Sequence, residues 1–269
     1  MDKAAASTPS FNELVKKNLH YVAEGEGELL ILISGLGGQG NFWRKVSSEF
    51  AETHRVVTFD HPGVGKSTSF GPQSIGKIVD TVLVVADMYG ADRFTCLGHS
   101  TGGLVAQALA LDHADRVREL ILSSTWAQPN HRFRQLFALR RHLLEVSGAD
   151  AYRLIGQLFA YSPEWFEQHL ASSHKPAWCQ GNLAINLLQS ERIDMLLNYQ
   201  RASELPGLSL PTLIIDAPDD LIVPQCHADE LQRLIPQAIR RSLLGGHFTP
   251  ITNPCDYSKL IKGFINRHD

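Results

Sequence analysis

The stretch Phe94-Thr95-Cys96-Leu97-Gly98-His99-Ser100-Thr101-Gly102-Gly103-Leu104-Val105-Ala106 decides how this chain folds. Phe94 to Leu97 is a short apolar run, as expected of a strand covered on both faces, and Gly102 to Asp112 carries helical periodicity. The junction between them is G-x-S-x-G. A strand that becomes a helix within so few residues must turn abruptly, which holds the serine in a strained backbone conformation with its hydroxyl above the sheet. The glycines on both flanks keep neighbouring side chains from colliding in that turn. A solvent-exposed glycine turn is the bland alternative, and the strand before and helix after argue against it.

Outward from this junction the same rhythm continues. Leu29-Leu30-Ile31-Leu32-Ile33, Val56-Val57-Thr58-Phe59, Leu120-Ile121-Leu122 and Thr212-Leu213-Ile214-Ile215 are further continuous apolar runs, and Ile75 to Tyr89 reads as a helix. Strand, crossover helix, strand implies an α/β protein with a mostly parallel twisted sheet and helices on both faces. Leu19 to Ala23 and the segment before it suggest an N-terminal hairpin, closed by the turn-rich Glu24-Gly25-Glu26-Gly27. The rhythm stops between Trp126 and Leu205, where helical patterning runs on without a convincing strand. A structureless loop of that length is implausible. The expectation is a helical cap inserted after the sixth strand, with Pro206 and Pro211 returning the chain to the sheet. Residues 1–126 and 206–269 then form the core and 127–205 the cap, with the small, polar first ten residues frayed.

Composition narrows the classes. The chain has 269 residues, with 25 Lys+Arg against 28 Asp+Glu and a formal net charge of −3. That balance, without a basic face, argues against nucleic acid as the partner. No apolar run is long enough to cross a bilayer, and the first residues lack the apolar core of a secretory signal, which points to the cytoplasm. Cys96, Cys179, Cys226 and Cys255 are widely spaced with no C-x-x-C, so neither a zinc site nor a disulfide framework is indicated. They read as buried or half-buried thiols.

Two nucleotide motifs are set aside. Gly35-Leu36-Gly37-Gly38-Gln39-Gly40 satisfies G-x-G-x-x-G after a strand, with Asp60 about twenty residues on. However, the third glycine should already lie inside a helix, whereas Asn41-Phe42-Trp43-Arg44 reads as a helix only beginning. Asp60 also opens the tight turn Asp60-His61-Pro62-Gly63-Val64-Gly65-Lys66-Ser67, which gives the acid another role. That turn ends like a P-loop, but a carboxylate at its first position would repel phosphate.

A nucleophilic serine needs a base and an orienting acid. Among twelve histidines, His247 follows the last strand-like run, Arg240 to Leu243, in Leu244-Gly245-Gly246-His247-Phe248, where the glycines let its ring swing back over the sheet edge. His99 adjoins the serine but points elsewhere in so sharp a turn, and is expected to pack inside it. Asp216, Asp219 and Asp220 lie just beyond the Thr212–Ile215 strand, and Asp220 is preferred. Alternatively these acids only cap the following helix, Cys226 to Leu234. Ser100 at a helix N-terminus also places the Thr101 amide where it can meet a developing oxyanion.

In these residues the chain resembles the α/β-hydrolase fold superfamily over nearly its whole length. The matching segments are Ser34-Gly35-Leu36-Gly37-Gly38, the D-x-x-G-x-G-x-S turn from Asp60 to Ser67, the Ser100 elbow, Asp220-x-x-x-Pro224 and Gly245-Gly246-His247. The resemblance implies a Ser100–Asp220–His247 triad, because in that family the acid stands four residues before the proline. It also implies an oxyanion hole of the Leu36 and Thr101 amides. Ser34 departs from the histidine many relatives carry there. Within the superfamily, Ile33 to Gly38 with Trp43 is similar to the aminoacrylate hydrolases of pyrimidine breakdown and to the 3-oxoadipate enol-lactonases. The segment from His131 to Trp165 is most similar to the former. Some aminoacrylate hydrolases lack the elbow serine; Ser100 is present here, which favours covalent hydrolysis.

The expected activity is therefore a cofactor-free, metal-free serine hydrolase cleaving a small carboxylic ester, lactone or amide, as a monomer or homodimer. The alternatives are aminoacrylate- or carbamate-type C–N hydrolysis, lyase or oxygenase chemistry, or a ligand receptor on the same fold. Trp126, Phe137, Phe159 and Phe248 are candidates to line the substrate pocket. An apolar cap suits an uncharged substrate, whereas Arg140 and Arg141 would attract a carboxylate unless, like most helical arginines, they are solvated.

Overall fold

The computed structural model describes residues 10–69, 71–170 and 183–265. The described residues begin with helix α1 (Phe11–Asn18), strands β1 (Tyr21–Glu24) and β2 (Glu28–Ile33), a 3₁₀ turn at Gly40–Trp43, helix α2 (Ser47–Phe50) and strand β3 (His54–Phe59). Helix α3 (Ile75–Met88), strand β4 (Phe94–His99), helix α4 (Thr101–Asp112) and strand β5 (Val117–Ser123) follow. Three helices come next: α5 (His131–Ala160), α6 (Pro163–His169) and α7 (Leu183–Leu197). Strand β6 (Thr212–Asp216), helix α8 (Cys226–Leu234), strand β7 (Ile239–Ser242), and helices α9 (Thr249–Thr252) and α10 (Pro254–Ile265) complete the described elements.

Among the described residues the sheet has seven strands in the order β1-β3-β2-β4-β5-β6-β7, and only β1 runs antiparallel to its neighbour. The inner strands β2 to β6 are largely buried on both faces because each face is covered, whereas the edge strands β1 and β7 are more exposed. Leu30 and Leu32 point into a core with Trp43, Phe50, Tyr257 and Phe264. Leu29, Ile31 and Ile33 point into the larger core beneath α3, α4 and α8. This alternation is the period of two that a strand imposes on its side chains.

The helical insertion follows the fifth strand, not the sixth. The expected N-terminal hairpin contributes one strand only, because the segment before β1 is helix α1. Ser10 caps that helix: its hydroxyl accepts from the Glu13 amide, and the Glu13 carboxylate accepts from the Ser10 amide. This reciprocal box stabilises a helix start that strand pairing would have to forgo. Of the first ten residues, expected to fray, Ser10 is instead held as this cap, and residues 1–9 lie outside the described residues, as does Cys179. Cys96 is buried, but Cys226 and Cys255 are exposed rather than half-buried, because Cys226 and Cys255 lie in the first turns of α8 and α10. No helix of the described residues is long and apolar enough to cross a membrane.

The strand order reverses at β2, with β3 on one side and β4 on the other. In an open α/β sheet a crevice forms beyond the carboxyl ends of the strands at such a switch point. The loop after β2 and the turn after β4 both open there.

Candidate active site

The turn after β4 is as tight as its sequence requires. Ser100 has φ 55° and ψ −122°, a region non-glycine residues enter at a cost of about 1–3 kcal/mol. The surroundings over-determine it: the Ser100 amide donates to Ser123 O (2.8 Å), and the Ser100 carbonyl accepts from the Thr125 hydroxyl and the Gly103 amide. A Cβ on Gly98 would lie 2.2 Å from Gly102 O, and one on Gly102 would lie 2.2 Å from Ile33 O. Both positions must be glycine for strand, turn and helix to pack this closely.

Ser100, Asp220 and His247, 147 positions apart at the extremes, come together at the strand ends. His247 Nε2 lies 3.0 Å from Ser100 Oγ, and Nδ1 lies 2.7 Å from Asp220 Oδ2. The second Asp220 oxygen accepts from the amides of Ile222 and Val223, each at 2.8 Å. The carboxylate is thus fully partnered in a buried setting and fixes the ring's orientation. His247 and Asp220 are 3% and 1% exposed, so water does not compete for their contact. The other candidate acids are occupied elsewhere. Asp219 accepts from the amides of Gly245 and Gly246, shaping the loop that carries His247. Asp216 is bound by Arg240, Gln225 and Ser242. Burial pushes its carboxyl up, but these partners outweigh burial and hold it below the ordinary aspartate value.

Leu36 and Ser100 line the same cavity, and a Cβ on Gly35 would approach Ser100 Cβ to 3.1 Å. Thr101 opens α4, and the first amides of a helix have no intrahelical acceptor. Neither the Leu36 nor the Thr101 amide has a protein acceptor among the described residues. His99 packs inside the elbow, with Nδ1 3.1 Å from Ser123 Oγ and its ring centroid 5.1 Å from that of His247. Burial, then the nearby His247, holds its pKa well below the ordinary histidine value. Asp60 does stitch its turn: Oδ1 accepts from Gly40 N and Oδ2 from Lys66 N. Gly65, at φ +57°, would put a Cβ 2.3 Å from that carboxylate.

The cavity of about 680 Å³ extends from Ser100 and His247 to the inner face of α5. Phe137 and Phe248 line it. Trp126 and Phe159 do not. The Trp126 ring packs against Phe133 beneath α5, with ring centroids 4.4 Å apart and the planes tilted by 46°, and Phe159 is turned onto the main core. Tyr152, Tyr161 and Ile222 line the cavity in their place.

Two buried arginines also belong to the site, and Arg192 was not singled out by the sequence reading. It is 1% exposed on α7 and donates to Leu36 O (2.8 Å), Gln73 Oε1 (2.8 Å) and His61 Nδ1 (2.9 Å). Burial pulls its pKa down to about 10. Burial, with Arg192 adding to it, likewise keeps His61 far below the ordinary histidine value, so its Nδ1 stays free to accept. The available signal was helical spacing, since Leu188, Arg192 and Leu196 fall on one stripe. Arg140 is buried and lines the cavity, whereas Arg141 is half-buried outside the cavity lining and pairs with Asp194 on α7. Among the described residues, no group of three or more His, Cys, Asp or Glu could hold a metal ion.

A family model described as alpha/beta hydrolase fold matches residues 28–254. The chain is 30% identical over 255 residues to a RutD protein of Azorhizobium caulinodans, covering 94% of this chain and 96% of that one. It is 32% identical over 255 residues to a RutD protein of Pseudomonas savastanoi pv. phaseolicola, covering 92% and 97%. The names of both propose a carbamate hydrolase. Its backbone matches the crystal structure of the enol-lactonase from Burkholderia xenovorans LB400 with a TM-score of 0.80 at 22% identity, over 92% of this chain and 96% of that one. That last likeness is one of fold.

Proposed function

The chain belongs to the α/β-hydrolase fold family, and from that premise we propose that it is a serine hydrolase cleaving a small carboxylic ester, lactone or amide through an acyl-enzyme. His247 Nε2 takes the Ser100 proton as Oγ attacks the substrate carbonyl carbon. The carbonyl oxygen gains the charge and is met by the Leu36 and Thr101 amides, one such donor contributing about 3–4 kcal/mol. The tetrahedral species collapses, and His247 passes the proton to the leaving oxygen or nitrogen. Water then gives a proton to His247 Nε2 and attacks the acyl carbon. The carboxylic acid leaves, and the proton returns to Ser100. Asp220 stays ionised and stabilises the imidazolium. Residues 127–205 act as a cap over the core of residues 1–126 and 206–269. The enzyme works in the cytoplasm on a small molecule, without a resident cofactor.

The observation that carries this reading is the continuous series of buried hydrogen bonds from Asp220 through His247 to Ser100 Oγ. A second reading, carbamate cleavage, is favoured by the names of the relatives. It uses the same attack at a carbonyl, with a carbamoyl-serine in place of the acyl-serine. Steady-state turnover of p-nitrophenyl esters tests the mechanism: Ser100→Ala should lose at least about 10³-fold in kcat. Undiminished turnover in that variant removes it. A panel of matched esters, lactones, amides and carbamates then separates the two readings by kcat/KM.

A further inference from the structure

The buried face of α5 is Phe133, Leu136, Phe137, Arg140 and Leu144, so a charged residue occupies an apolar position. The helix bends at Gly148, whose φ of 80° and ψ of −174° break the helical path. The bend folds Tyr152 and Gly156 back against Arg140. The Arg140 guanidinium carbon lies 4.3 Å from the Tyr152 ring centroid and 5.0 Å from that of Phe137. Arg140 is 9% exposed, its Nε is buried without a partner, and it makes no ion pair among the described residues.

A cation taken out of water is costly unless an anion answers it. The two aromatic faces offset part of that cost. The rest is unanswered: the cavity that Arg140 shares with Ser100 is also lined by Arg44 and Arg153 and by no aspartate or glutamate among the described residues. An arginine stays protonated at neutral pH and presents a planar fork suited to a carboxylate.

We propose that Arg140 anchors a free carboxylate on the substrate while the scissile carbonyl lies at Ser100. The preferred substrates are then monoesters, monoamides or lactones of acids that keep a second, ionised carboxyl group. This rests on the serine-hydrolase reading and names the substrate class of that site.

The test uses the purified full chain with two substrates, the mono-p-nitrophenyl ester of glutaric acid and its methyl-capped diester, together with the malonate to adipate homologues of each. The wild-type enzyme should favour the free acid over the capped diester by at least about tenfold in kcat/KM at one chain length. Arg140→Met should lower that ratio by about 30- to 100-fold, chiefly through KM for the acid. Arg140→Lys should fall between. Arg141→Met, outside the cavity lining, should leave the ratio as in the wild type. Gly156→Ala keeps the arginine but brings a Cβ to 2.8 Å from Arg140 Nη2, so it should displace the fork and lower the ratio severalfold. That variant decides the matter if Arg140→Met does not fold. The proposal is overturned if the wild type shows no preference for the acid at any chain length. It is equally overturned if Arg140→Met, or failing that Gly156→Ala, keeps the wild-type ratio, or if Arg153→Met alone abolishes it. Failure of the serine mechanism reads differently: Ser100→Ala would then turn over both esters, whatever the ratio.

Discussion

Arg192 Nε donates to the carbonyl oxygen of Leu36 across 2.8 Å, tying α7 to the loop that follows β2. The two residues are 156 positions apart, and this contact links the helical insertion to an amide assigned to the oxyanion. Arg192→Met strands three acceptors, one buried on His61 and two half-buried on Leu36 and Gln73. The expected loss is about 3 kcal/mol of stability in urea unfolding, together with a fall in kcat of about tenfold at nearly constant KM. A destabilised variant with unchanged kcat would show that the loop holds its shape without the arginine.

Asp219 and Asp220 are adjacent, yet their contacts predict different outcomes. Asp220→Asn leaves the geometry but offers His247 the wrong hydrogen-bonding partner, so kcat should drop about 10³- to 10⁴-fold. Asp219→Asn weakens two amide contacts in the loop bearing His247 and should cost about 1–2 kcal/mol of stability with a much smaller loss of kcat. Steady-state kinetics and thermal unfolding of both variants check the assignment. Equal losses in kcat would contradict it.

The elbow tolerates no side chain at Gly98. Gly98→Ala forces a methyl group to within 2.2 Å of the Gly102 carbonyl oxygen, and either β4 or the start of α4 must move. The expected result is a destabilisation above about 3 kcal/mol, seen as low soluble yield or a Tm lower by several degrees. A wild-type Tm would mean that the strand-to-helix junction is looser than described.

Buried histidines set an acid limit on stability. His61, His99 and His227 are all held below their ordinary value, in each case chiefly by burial. Each is therefore protonated in the unfolded chain at a pH where the folded chain keeps it neutral. Their contribution is fully present above the unfolded value of 6.5. It is lost as pH falls below that value, at up to about 1.4 kcal/mol per pH unit for each histidine. Urea midpoints measured from pH 7.5 to 5.0 should decline, and His99→Asn should make the decline shallower by about one proton. Stability that stays level or rises toward pH 5 would contradict the assignment of neutral buried rings.

The strands and the elbow were readable in the sequence because sheet burial writes continuous apolar runs, and because Gly98 and Gly102 mark a turn that only glycine permits. The helix at Phe11–Asn18 was missed although Ser10-Phe11-Asn12-Glu13 spells its capping box, and this one helix shifts the strand count for the whole chain. The cavity wall was harder. Whether Trp126 or Tyr152 faces the substrate depends on the bend at Gly148, which a sequence displays only as a glycine in a helical pattern. Arg140 and Arg192 were visible as charges on apolar stripes, but their meaning lies in contacts made across distant helices.

The central claim, that Ser100 is a nucleophile activated by His247, is tested most directly by covalent labelling. Incubation with a fluorophosphonate followed by peptide mass spectrometry should give a single adduct on Ser100. Ser100→Ala should show none, and His247→Ala should be labelled at least about 10³-fold more slowly. An adduct on another residue, or equal labelling rates in wild type and His247→Ala, would contradict the account.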